Sequence, residues 1–185
     1  QRRLFLSVAL TLLCLTASAD ERPNFLFIIA DDASRDSMGA YGSTYVETPN
    51  FDRIAKEGVL FTQAYNCNPK CAPARACLLT GRYSWQLKEA CNHNPFLSDE
   101  WAFYPFLFED AGYFVGFTGK GWGPGIYRGI DGGPTKFKQL NPAGHPFNEK
   151  TSRPPYKGIS NVDYAANFKD FLTRRPEKKP FCFWL

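Results

Sequence analysis

The chain has 185 residues, 44% of them hydrophobic and 16% aromatic, enough for one compact domain with a real core and too little for two large ones. That composition excludes general disorder. A formal net charge of +4 without any basic block gives no support for a nucleic-acid partner.

Arg2 and Arg3, the apolar run from Leu4 to Leu15 and the small-residue site Ala17-Ser18-Ala19 have the layout of a secretory signal peptide. The run falls short of the ~20 residues a membrane span needs. Residues 1–19 therefore predict export, to the periplasm or beyond, with no stable membrane span. Leu13, ahead of Cys14, stands where a lipoprotein signal wants a small residue. Without the leader, 20 basic residues face 18 acidic ones, and Cys67, Cys71, Cys77, Cys91 and Cys182 remain. Their odd number leaves at least one thiol without an internal partner, and the pairing itself cannot be read from spacing.

Asn24 to Ala30 is a continuous apolar run, expected as a strand buried on both faces. Thr48 as N-cap, Pro49 as first residue and Gly58 as stop predict a helix with an apolar stripe of Phe51, Ile54 and Ala55. Val59 to Phe61 is a short strand candidate, 66–73 a loop, and Ala74 to Thr80 a helix closed by Gly81. Phe103 to Ala111 reads as a helix with Pro105 in its first turn, and Tyr113 to Thr118 as a strand. From Gly119 to Ser160 glycine and proline are frequent and no period persists; loops of this length in a compact domain are functional or disordered. Asn161 to Arg174 is expected as a helix with Ala165, Phe168 and Leu172 on one face, and Pro180 to Leu185 as a buried strand. Strands alternating with helices predict an α/β fold around a mostly parallel central sheet. Gln1 is not an initiator methionine and Leu185 falls inside an apolar run, so a piece of a longer reading frame is expected.

Three constellations carry chemistry. Cys71-Ala-Pro73-Ala-Arg75 is followed by Thr80-Gly81-Arg82. Cys71 stands just before a predicted helix, whose free N–H groups and dipole favour an oxyanion, and Arg75 lies one turn on. Asp31-Asp32 follows the first predicted strand, where ligand sites of open α/β sheets gather. Such a pair suits a hard divalent cation, Ca2+ first, and equally suits capping a turn. Lys120, in Gly116-Phe-Thr118-Gly119-Lys120-Gly121-Trp122, is a point charge at the end of a strand or a solvated loop lysine.

Together these segments resemble the sulfatase family, within the alkaline-phosphatase-like superfamily, over residues 22–185. The run from Thr118 to Gly125 and the closing Pro180-Phe-Cys-Phe-Trp are similar to heparan N-sulfatase (sulfamidase-like) bacterial members. The resemblance implies that residues 20–185 are the N-terminal part of a catalytic domain, truncated here. It implies that a maturing enzyme oxidises Cys71 to formylglycine, whose hydrate attacks sulfur through one hydroxyl and later expels sulfate through the other. It further implies that Asp31, Asp32 and the modified Cys71 hold the metal, that Arg75 assists catalysis, and that Lys120 clamps the sulfate. Ala74 stands where serine is common, and Trp122 where many members carry histidine two positions after the lysine. Trp122 could stack on a sugar or pack in the core. His93 and His145 fall on no family motif. The activity implied is hydrolysis of sulfate esters or N-sulfate groups on a sulfated glycan. A phosphonate monoester or phosphodiester hydrolase and a non-catalytic secreted glycan-binding protein on the same scaffold are the alternatives.

Overall fold

The computed structural model describes residues 21–185, so the leader expected at 1–19 lies outside the described residues. Three strands, β1 (Phe25–Phe27), β3 (Phe114–Phe117) and β5 (Phe181–Trp184), form an all-parallel sheet in the order β1-β5-β3. β5 is central, and its residues alternate between two helical layers. Cys182 and Trp184 face α3 (Tyr104–Asp110), through Tyr104, Phe106 and Phe108. Phe181 and Phe183 face α4 (Tyr164–Arg174), where Phe168 and Phe171 meet Phe147. The expected α/β arrangement, a parallel sheet flanked by helices, is the one observed.

β1 departs from its expectation. It is the sheet's edge, and Phe25, Leu26 and Phe27 all stay exposed, although the Phe25 ring meets those of Phe108 and Tyr113 and the Phe27 ring meets that of Trp184. A second pair of parallel strands, β2 (Phe96–Ser98) and β4 (Ile126–Arg128), was absent from the expectation; three residues each are too short to show a period. Val59 to Phe61, in contrast, forms no strand, and Val59 and Phe61 are 75% and 69% exposed.

Helix α1 (Pro49–Glu57) runs between its expected signals, yet buries no residue, and Phe51 and Ile54 of its stripe face solvent. Its N-cap residue serves a neighbour instead: the Thr48 hydroxyl donates to Asp52 Oδ1 at 2.9 Å and accepts the Gly39 N–H at 2.8 Å. Helix α4 starts at Tyr164, where the Asp163 carboxylate accepts the Ala166 N–H at 2.9 Å. Its buried residues are Asn167 and Phe171, with Phe168 partly buried beside them, whereas Ala165 and Leu172 are exposed. Phe168 is common to the expected stripe and the real one, and Phe171 takes the inner place expected of Leu172.

Helix α2 (Cys71–Thr80) begins three residues earlier than expected, at Cys71 itself. Pro73 is compatible with this because its missing N–H falls in a first turn that has no intrahelical acceptor for it. Gly81, at φ 65°, closes the helix with its N–H on the Cys77 carbonyl at 2.8 Å. Every residue from Ala72 to Cys77 is buried, and the small side chains Ala72 and Ala76 let the core close around the helix.

Candidate active site

Parallel strands present all their carboxyl ends on one side, and the chain uses that side three times. After β1 the backbone follows β5 as far as Ile29, whose N–H donates to Leu185 O at 2.8 Å, and then releases Asp31 and Asp32. After β3, Thr118 is still tied to Trp184 O at 2.9 Å, and Lys120 follows two residues later. The start of α2 brings Cys71 and Arg75 between them.

Asp31 is the hub. Its Oδ1 accepts from Arg75 Nη2 at 2.9 Å and its Oδ2 from Lys120 Nζ at 2.8 Å. The Lys120 hydrogen bond is the main reason the Asp31 carboxyl is held below the usual range; partial burial opposes it and Arg75 adds to it. For Lys120, burial works against the ammonium, but hydrogen bonds with Asp31 and with the Cys71 thiol outweigh it and raise its pKa. Cys71 Sγ lies 4.0 Å from Asp32 Oδ1. Asp32 itself adopts φ 55°, a left-handed conformation that aspartate tolerates better than most side chains and that recurs at functional sites.

The five residues Asp31, Asp32, Cys71, Arg75 and Lys120 are thus brought together. A cleft of about 240 Å³ is lined by Asp31, Asp32, Lys70, Cys71 and Arg75, and a neighbouring one of about 440 Å³ by Asp31, Arg75, Lys120 and Trp184. The larger cleft of about 520 Å³, beside Cys67, Cys77 and Tyr83, carries none of these acids. The buried Arg75 bonds Asp31 and, through Nη1, the Gly121 carbonyl at 2.7 Å.

Trp122 does not join the site. It is 4% exposed, packs in the main core and donates its indole N–H to the Ala72 carbonyl at 3.2 Å, so no ring face is open to stack a sugar. His93 is exposed, and His145 lies 3.1 Å from Glu109, away from the five residues. Sequence reasoning passed over Asn141 and Asn148, whose carboxamides bond backbone on both sides of Lys120. No spacing rule marks an asparagine in a glycine- and proline-rich stretch as a partner of a distant backbone.

A sequence profile of the family described as Sulfatase matches residues 23–185. The chain is 33% identical over 165 residues to the N-acetylglucosamine-6-O-sulfatase of Bacteroides thetaiotaomicron, covering 88% of this chain and 29% of that protein. It is 48% identical over 66 residues to the N-acetylgalactosamine-6-sulfatase of Homo sapiens, covering 36% of this chain and 13% of that one. A solved protein in complex with its substrate D-glucosamine-2-N,6-O-disulfate is similar at a TM-score of 0.61 and 26% identity, covering 89% of this chain and 34% of that one. The phosphonate monoester hydrolase of Agrobacterium radiobacter, at a TM-score of 0.60 and 24% identity over 88% of this chain and 40% of that one, shares the fold alone. The chain spans about a third or less of the length of these sequence relatives.

Proposed function

The chain belongs to the sulfatase family, and from that premise we propose that its chemistry is hydrolysis of sulfate esters or N-sulfate groups on a sulfated saccharide, through a nucleophile made from Cys71. The observation that carries this reading is the convergence of Cys71, Arg75, Asp31, Asp32 and Lys120 at the carboxyl side of the parallel sheet. In this reading residues 20–185 form the N-terminal part of a catalytic domain, residues 1–19 direct export, and a maturing enzyme that reads Cys71-Ala-Pro-Ala-Arg75 is a required partner.

The residues present fit a divalent metal. Asp31, Asp32 and Cys71 offer ligand atoms within 4.8 Å of one another. The Cys71 thiol stands where formylglycine would place oxygens, and an all-oxygen set suits Ca2+ rather than a thiophilic ion. Formylglycine and metal would supply an attacking hydroxyl and a polarising charge. The chain's own residues do the rest. Pro73 has no N–H and Ala74 donates to Lys70 O at 3.0 Å, so the Cys71 and Ala72 N–H groups are the ones left for an anion at the start of α2. Lys120 and Arg75 bring two positive charges to the same place, and Asp31 holds both in orientation.

Two measurements test this reading. Mass spectrometry of the tryptic peptide Cys71–Arg75, from protein made beside a competent maturation system, is expected to show an aldehyde; an unmodified thiol overturns the route. Sulfate and phosphate esters of one leaving group are then assayed in parallel, with calcium and after chelation. Both named sequence relatives are 6-sulfatases, so a 6-O-sulfated amino sugar is the first substrate and an N-sulfated one the second. Calcium-dependent preference for sulfate supports the proposal, and preference for the phosphorus ester overturns it.

A further inference from the structure

Lys120 sits on irregular backbone, and its four-carbon stem is free to rotate unless its base is fixed. Gly119 and Gly121, its two neighbours, have φ of +80° and +56°, conformations that glycine adopts at little cost. These turns are held from both sides. The Asn148 carboxamide makes a two-way bond with residue 119: Oδ1 accepts the Gly119 N–H at 2.6 Å, and Nδ2 donates to the Gly119 carbonyl at 3.2 Å. The same Oδ1 accepts the Thr118 hydroxyl at 3.0 Å. The Asn141 carboxamide does likewise with residue 122, accepting the Trp122 N–H at 3.1 Å and donating to its carbonyl at 3.0 Å. Between them Arg75 holds the Gly121 carbonyl.

The backbone is therefore fixed at 119, 121 and 122, with Lys120 carried in the middle and its Nζ delivered to Asp31. We infer that Asn141 and Asn148 are positioning residues for Lys120, acting through the backbone they clamp. The inference rests on the proposed reading of Lys120 as a sulfate contact. A two-way amide clamp is not by itself a sign of function. Asn167 makes one with Lys150, at 2.9 Å and 3.0 Å, outside the site, and it serves as an internal control.

The test is a double-mutant cycle on the matured, calcium-loaded enzyme with one sulfate ester, each variant checked by a thermal melt. Asn148→Ala is expected to lower kcat/KM by about 10-fold, through a displaced charge, and Lys120→Ala by more. In the Lys120→Ala background, adding Asn148→Ala is expected to change kcat/KM by less than about twofold, because the group it positions is gone. Asn141→Ala supplies a second cycle if Asn148→Ala fails to fold. Asn167→Ala is expected to lower the melting temperature and leave kcat/KM within about twofold in either background.

If each asparagine variant keeps its full factor on top of Lys120→Ala, or has none alone, the positioning inference is overturned while the Lys120 reading stands. If Lys120→Ala leaves kcat/KM unchanged, the sulfate-contact reading falls and takes the inference with it.

Discussion

Arg75 takes partners that its position in the motif does not name. Its guanidinium reaches Asp31, the Gly121 carbonyl and the face of Trp184, whose ring centroid lies 5.8 Å away. The planar fork serves two acceptors at once while buried, which a single ammonium cannot do. Arg75→Lys is therefore expected to lower kcat/KM by about 100-fold, read by steady-state kinetics beside a thermal melt; a loss under about threefold would show that charge alone suffices. The sequence motif placed this arginine one turn from Cys71, but not its attachment to residues 44 and 46 positions away in the chain. Nothing local encodes those partners, because they come from the ends of two different strands.

At the scale of elements, the helices were legible where their ends carry chemical signals, as at Pro49, Gly58 and Gly81. The starting point of α2 was misplaced because Pro73 reads as a loop residue, although a first turn accepts it. The faces were less legible than the ends. In α4 the alternation of Phe168, Phe171 and Leu172 allows two stripes, and only the position of Phe147 and Phe183 selects the one with Phe171 inside. Phe171 is fully buried and its ring meets those of Phe114, Phe147, Phe181 and Phe183. Phe171→Ala is expected to cost about 3–5 kcal/mol, measured by urea unfolding. Leu172→Ala, one position on and partly exposed, is expected to cost under about 1 kcal/mol. Equal costs would show that the face is assigned wrongly.

For the molecule as a whole, burial suppresses ionisation at several sites. It pushes the Cys77 thiol from 9.0 up to about 12, with Cys67 adding to the shift, and Cys182 from 9.0 up to about 11. Tyr127 rises from 10.0 to about 12, and Tyr104 rises too, both mainly through burial. In each case the unfolded chain gives up the proton at a lower pH than the folded one. Their stabilisation is complete below the unfolded values and is lost as pH climbs toward the folded ones. The urea midpoint is expected to be flat up to about pH 8.5 and to fall steadily from about pH 9 toward 12, with the last part of the tyrosinate absorbance, that of Tyr104 and Tyr127, held back until unfolding. Tyrosinate absorbance reaching the full value of all nine tyrosines before unfolding would contradict the burial of Tyr104 and Tyr127. Parallel strands with helices on both faces were legible as a pattern of alternation. The segment from 119 to 160 was not, since its order comes from single side chains: Asp99, for example, accepts the Ile130 and Lys136 N–H groups at 3.1 Å and 2.7 Å.

Two of the three clamping asparagines also give the protein a chemical lifetime. Hydrolysis of a carboxamide to a carboxylate replaces the Nδ2 donor with an oxygen, which then opposes the carbonyl of Gly119 or Lys150. A bond becomes a repulsion, with a negative charge added and no change in the shape of the side chain. Asparagine is among the residues most prone to heat damage. Slow ageing at Asn148 would loosen the backbone around Lys120 while the aromatic core of β5 and α4 stayed intact; Asn141, followed by Pro142 with no N–H to attack it, is protected. Such a molecule would remain folded after it had stopped working.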